Sequence, residues 1–327
     1  MRFGAFVPQG WRLDLVGIDR DDHWPTMLDV AKTIERSGYE SLWVFDHFHT
    51  VPVPTQEVTY EAWTLMAALA AATDTVRLGQ MCTCNGYRLP SYLAKVASSI
   101  DVISNGRVEM GIGAGWYEHE YLAYGYDFPK PSVRIGELGE GVEIMQRMWT
   151  EDETTFTGRH FSVSGAICQP KPVQSPHIPF WIAGGGEQLT LRVAARFAQY
   201  SNFGASVEEF EHKNSVLDAY CADIGRTPDE IVRSSNFTVF CCETEAEVEE
   251  KRAWMRSMVS RFASGETLER RIAMVTKDAG TPEQLIEKLE LWRDAGLGYA
   301  IFNFPDAAYD RSGIELLAKT VIPALQS

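Results

Sequence analysis

The sequence predicts an α/β protein of the (β/α)8 TIM-barrel class, in which eight parallel strands alternate with helices. Three observations carry this. Eight short runs are almost continuously apolar, as strands buried on both faces are. Segments of helical period follow most of them, and that alternation implies a parallel sheet. At 327 residues, 45% of them hydrophobic, the chain has length and apolar content for eight such units plus insertions.

The strand runs are residues 2–7, 41–46, 76–82, 107–112, 179–183, 200–203, 237–241 and 299–304. After the first, Asp22 caps a helix whose apolar positions Trp24, Met27, Leu28, Ala31 and Ile34 recur at helical spacing, and Gly38 ends it. Pro90 opens a second pattern, with Leu93, Val96, Ala97, Ile100 and Ile103, closed by Gly106. Thr281-Pro282-Glu283-Gln284 is an N-terminal signature before Leu285, Ile286, Leu289 and Trp292, and Gly296 closes that helix. Two stretches exceed a minimal barrel. Residues 150–178 read as a hairpin and loop, and residues 243–280 as two extra charged helices. Such insertions wall or lid a site at the strand C-terminal ends, so 1–327 is read as one domain.

Thirty Lys+Arg against forty-five Asp+Glu give a net charge of −15. That balance argues against nucleic acid or an anionic membrane as partner, though backbone amides alone can hold a phosphate. The N-terminal apolar run is too short for a signal peptide, and no stretch reaches the roughly 18 apolar residues of a membrane span. With no export signal, the six cysteines are expected as thiols rather than a disulfide framework, in a cytoplasmic protein.

Function in a barrel sits at the strand ends. Gly184-Gly185-Gly186, between an apolar strand and a helix, is either a tight turn or an anion site. Three glycines let backbone approach a ligand, and a helix start offers free amides. Gly111, Gly113 and Gly115 have the wrong spacing for a dinucleotide fingerprint; they leave room for a flat ring or serve a crowded barrel mouth. Asp46-His47 is an acid–base pair or a structural one. His49 adds a second imidazole, but no third ligand stands at metal-binding spacing, so no metal is expected. Glu118-His119-Glu120 is a solvated helix start or a ligand contact.

In these residues the chain resembles the bacterial luciferase-like flavin and deazaflavin oxidoreductases, above all their coenzyme F420-dependent branch. The matching marks are Phe3-Gly4, Ser41-Leu42-Trp43-Val44-Phe45-Asp46-His47, Val76-Arg77-Leu78-Gly79 and Tyr87-Arg88-x-Pro90. Gly106-Arg107, the run Gly111-x-Gly113-x-Gly115-Trp116, and Ile182-Ala183-Gly184-Gly185-Gly186 complete them. The resemblance covers essentially the whole chain. It implies F420, with FMN as the alternative, held with its phosphate at Ala183, Gly184, Gly185 and Gly186. Asp46, Met81, Cys82, Thr83 and His119 would contact the cofactor, with a cis bond joining Met81 and Cys82. His47, beside Asp46, is the expected proton donor or acceptor for hydride exchange with a small organic substrate. Trp116 replaces a carboxylate that some F420 enzymes carry after this glycine run, and the acids move to Glu118 and Glu120. The substrate pocket is therefore expected at Trp116 and Glu118, with an aromatic wall for an apolar or flat molecule. A homodimer, and a separate reductase supplying reduced cofactor, are further implications. The alternatives are a two-component FMN monooxygenase and a flavin- or deazaflavin-binding protein without turnover.

Overall fold

A computed structural model describes residues 1–204 and 206–326. In chain order, β1 (Arg2–Phe6) leads to α1 (Arg20–Arg36), β2 (Ser41–Val44), α2 (Ala62–Ala72), β3 (Arg77–Gln80), β4 (Thr83–Cys84) and α3 (Pro90–Ile103). Then come β5 (Val108–Gly113), α4 (Glu118–Ala123), α5 (Pro131–Thr150), β6 (Thr154–Thr157), β7 (Ser162–Ala166), β8 (Phe180–Ala183), α6 (Thr190–Phe197) and β9 (Tyr200–Asn202). The chain ends with α7 (Val207–Asp223), β10 (Val232–Cys241), α8 (Glu245–Val259), α9 (Gly265–Thr276), β11 (Asp278–Gly280), α10 (Pro282–Asp294), β12 (Tyr299–Asn303) and α11 (Ser312–Gln326). All eight expected strands are present, as β1, β2, β3, β5, β8, β9, β10 and β12. Their parallel pairing and alternation with helices make this the (β/α)8 barrel class.

Two compact units divide the chain. The first comprises Met1–Glu61 and Ser235–Ser327, the second Ala62–Ser234. In the first, β1 pairs in parallel with β12 (Arg2 opposite Tyr299) and with β2 (Gly4 opposite Ser41), and β10 pairs with β11. Every residue of β2 and β12 is buried, which is why these runs lack polar alternation. In the second unit β5 lies between β3 and β8 (Leu78 opposite Val108, Gly113 opposite Ala183), β8 pairs with β9, and the short β4 pairs with the end of β5. Trp181 stacks on Tyr200 with ring centroids 3.8 Å apart.

Both insertions take the expected form. Residues 150–178 carry the antiparallel β6–β7 hairpin. Its turn is fixed by Glu140 of α5, whose carboxylate accepts backbone N–H bonds from Arg159, His160 and Phe161. Residues 243–280 carry α8 and α9, which share a small core with Phe240, including Val248, Met255 and Val275.

Three details differ from the sequence reading. Helix α1 starts at Arg20 with Asp19 as N-cap, so Asp22 sits in the first turn, where an acid still favours the helix dipole. Strand β10 begins five residues before the expected Phe237. Arg233 and Ser234 are buried but polar, and they hid the strand from an apolar-run criterion. The expected 76–82 run breaks after Gln80, and the Met81–Cys82 peptide bond is cis, as the resemblance implied. All six cysteines are free thiols. Among the described residues no helix is long and apolar enough to cross a membrane.

Candidate active site

The ends of β5 and β8 create a cavity of about 320 Å3 within the second unit. Four of the expected residues line it: Cys82, Trp116, Ala183 and Gly184. Gly113, Gly115, Arg134 and Thr190 join them. Trp116 is 62% exposed and forms the rim, stacked on Tyr117 at 5.0 Å.

The two glycine-rich strand ends are glycine for different reasons. A Cβ on Gly111 would lie 1.9 Å from the Gln80 carbonyl oxygen, and one on Gly113 2.8 Å from Cys82 Sγ. Gly115 has φ +79°, and a Cβ there would meet the Tyr121 hydroxyl at 2.1 Å. This is the crowded-mouth alternative: neighbouring strands and side chains occupy the space. After β8 the surroundings are looser. Gly184 has φ +122°, a conformation that favours glycine, and its N–H donates to the Asn202 carbonyl at 2.8 Å, so that amide belongs to the sheet. A Cβ on Gly185 would touch the Lys213 side chain and Phe203 Cβ at 3.1–3.2 Å, and one on Gly186 the Thr190 hydroxyl at 3.0 Å. Helix α6 starts here with Leu189 as N-cap and no side-chain capping bond. An uncapped start leaves first-turn N–H groups for a ligand or water.

Arg134 was not singled out in the sequence. It is 8% exposed, rises from α5 into the cavity, packs on Phe128 at 3.9 Å and donates to the Gly115 and Pro129 carbonyls. No carboxylate among the described residues forms an ion pair with it. A buried guanidinium without an ion-pair partner, beside glycine backbone, suits a phosphate. Its place in sequence gave no sign of this, because one arginine on a mixed helix reads as a solvated charge.

The remaining expected residues of this unit lie outside the cavity lining. Met81 is buried beside it. Thr83 is fully buried, with its hydroxyl donating to Gln80 Oε1 at 2.8 Å. Glu118 and His119 are exposed on α4, with His119 tilted against Tyr117 at 5.6 Å. Glu120, expected with Glu118 on a solvated helix start, is instead buried and accepts a hydrogen bond from the Tyr87 hydroxyl at 2.8 Å. Gly185 and Gly186 form the turn itself.

Asp46 and His47 end β2 in the first unit. Asp46 is buried and His47 half-buried. The His47 ring stacks flat on Trp11, centroids 4.0 Å apart and planes 5° apart. Gln9 sets the course of the chain into this pair. Its amide donates to the Phe45 and Tyr60 carbonyls at 2.7 and 2.6 Å, and its oxygen accepts the Phe45 N–H at 2.8 Å. Gln9 and Trp11 follow β1 and carry no signal of this role in the sequence. No group of three or more His, Cys, Asp or Glu side chains among the described residues is placed to hold a metal ion.

Comparison with known proteins identifies the family. A family model described as luciferase-like monooxygenase matches residues 1–298. The chain is 27% identical over 324 residues to an F420-dependent glucose-6-phosphate dehydrogenase of Nocardia farcinica, covering 92% of this chain and 94% of that one. Among solved structures it is similar to an F420-dependent secondary alcohol dehydrogenase in complex with an F420-acetone adduct, with TM-score 0.79, 20% identity and coverage of 100% and 99%. It is also similar to the monooxygenase RslO1 of Streptomyces bottropensis, with TM-score 0.81, 20% identity and coverage of 99% and 100%. At such identities the likeness to solved structures is one of fold.

Proposed function

The chain belongs to the luciferase-like monooxygenase family, and on that premise we propose that it is an F420-dependent oxidoreductase acting on a small organic substrate. The observation that carries the cofactor assignment is the cavity after β5 and β8. It combines glycine backbone, an uncapped helix start and the buried Arg134, which forms no ion pair among the described residues. Those features fit the anionic tail of F420. When bound, F420 supplies a ring carbon, C5, that exchanges a hydride with substrate.

The amides from Gly185 to Thr190 hold the phosphate, and Arg134 supplies the opposing charge. Met81 and Cys82 would hold the ring, and Ala183 and Gly184 the tail. Trp116 offers the apolar wall of the substrate pocket beside Glu118, and Thr83 and His119 would contact the cofactor. In the first unit His47 gives or takes the proton that accompanies hydride exchange, with Asp46 as its neighbour. Stacking on Trp11 restricts its ring to one plane. We further propose that both units make one domain over 1–327, which the span of the family match across them supports. A homodimer is supported by the exposed Leu89, Tyr92, Val102 and Ile103 around α3, an apolar surface of the sort a second copy covers. Reduced cofactor comes from a separate reductase in the cytoplasm.

Titrating the full chain separately with F420 and with FMN, followed by ligand absorbance, tests the proposal. Saturation by F420 is expected, with turnover equal in the presence and absence of oxygen. Saturation by FMN alone, with oxygen consumed, overturns it in favour of the monooxygenase alternative. F420 binding with no oxidation across a broad panel of electrophiles overturns the catalytic part.

A further inference from the structure

The first unit holds two guanidinium groups with buried Nε atoms that form no ion pair among the described residues. Arg12, in the loop after β1, lies over Phe45 and Trp11, with Cζ 4.7 and 5.1 Å from their ring centroids. Among the described residues its one hydrogen bond goes to the Thr238 hydroxyl of β10 at 3.2 Å. Arg271, 6% exposed, comes from α9 of the second insertion and has no hydrogen bond or ion pair among the described residues. The Nε atoms of both arginines and Nε1 of Trp11 are buried donors without acceptors. The nearby acid, Asp14, forms no ion pair with either among the described residues; its carboxylate accepts from the backbone N–H groups of Gly10 and Gln9, and its single charge acts on both guanidiniums.

Other buried arginines in the chain show what is missing. Arg107, 8% exposed, donates to four backbone carbonyls and the Thr73 hydroxyl, and Arg233, 9% exposed, pairs with Asp218. Arg12 and Arg271 instead face each other's charge. Burial first, and then the Arg271 charge, push the Arg12 guanidinium down to about 9, and burial brings Arg271 to about 10. A water can satisfy a single donor, but it does not neutralise the positive charge that one carboxylate leaves over from two guanidiniums. An oxyanion does both, since two guanidiniums offer it forked, charge-assisted hydrogen bonds.

We propose that Arg12, Arg271, Thr238 and Trp11 form a substrate subsite for an oxyanion, so that the enzyme acts on phosphorylated or carboxylated small molecules. The subsite adjoins the proton-transfer residue. Trp11 stacks on His47 at 4.0 Å and lies under Arg12 at 5.1 Å, which places the guanidinium carbon no more than about 9 Å from the imidazole. The assignment to substrate rests on the oxidoreductase reading, whereas the anion site does not.

Calorimetric titration of the full chain with inorganic phosphate and with acetate, at constant ionic strength in chloride, tests it. Saturable binding of at least one anion is expected, weakened at least tenfold in both Arg12→Gln and Arg271→Gln, with Arg271→Lys retaining more affinity than Arg271→Gln. Preference for phosphate assigns phosphorylated substrates, and preference for acetate assigns carboxylic acids. A folded parent chain that binds neither anion saturably overturns the proposal, as does Arg271→Gln with unchanged affinity. If either variant fails to fold, the titration of the parent and the other variant decides. Repeating the parent titration with F420 present separates the sources: anion binding abolished by F420 gives the site to the cofactor tail and overturns the substrate assignment. Anion binding in a chain that takes up no F420 leaves the site standing and removes the cofactor reading instead.

Discussion

The C-terminal ends of β5 and β8, each with the turn that follows, carry three glycines each, yet they differ in what surrounds them. At Gly111 and Gly115 the space a side chain would need is filled by the Gln80 carbonyl and the Tyr121 hydroxyl. At Gly185 and Gly186 it is bordered by the ends of Lys213 and Thr190, and the adjoining helix start is uncapped. A glycine-rich strand end is thus two different objects. One is a packing solution between strands; the other is a backbone surface left accessible. Glycine count does not distinguish them, while the identity of the nearest atom does.

Substitutions at the two ends break or sharpen that contrast. Gly111→Ala is the most severe, because its Cβ meets backbone that cannot rotate away. A stability loss of about 3 kcal/mol or more, or failure to accumulate as folded protein, is expected in denaturant unfolding. Normal stability there dissolves the distinction. At the third strand end, that of β2, His47→Ala lowers turnover by roughly 10²–10⁴ with folding and F420 affinity retained. An unchanged rate removes the imidazole from proton transfer. Gly185→Val lowers F420 affinity by about tenfold or more while the far-UV spectrum stays that of the parent, consistent with loss of an anion contact of about 1.5–3 kcal/mol. Equal affinity in the variant marks this turn, too, as packing alone. The smallest effect concerns the buried charges. Replacing Arg271 by Met raises the melting temperature in anion-free buffer by a few degrees, since an unpaired buried charge is removed from a mostly apolar site. A lower melting temperature makes that guanidinium a structural element.

Much of the fold was legible because both sources of order are local. Continuous apolar runs located β1, β2, β5 and β12, and Thr281-Pro282-Glu283-Gln284 located the start of α10, where the capping box forms. The start of β10 was not legible, because Arg233 is a buried cation whose partner Asp218 is distant in sequence. The same limit explains the site. The glycine turn and Asp46-His47 stand out as residue types, but Arg134, Arg12 and Arg271 look like solvated charges until tertiary structure draws them inward with no ion pair among the described residues. Glu118 and Glu120 differ by two positions on one short helix. Which of them is buried depends on Tyr87, more than thirty residues away.

Hydrogen–deuterium exchange of the full chain with and without F420 tests the central claim most directly. Slowed exchange concentrated at residues 184–190 and at the start of α5 around Arg134 is expected on adding F420. Saturating F420 that leaves those amides unchanged, or protects a different strand end, contradicts it.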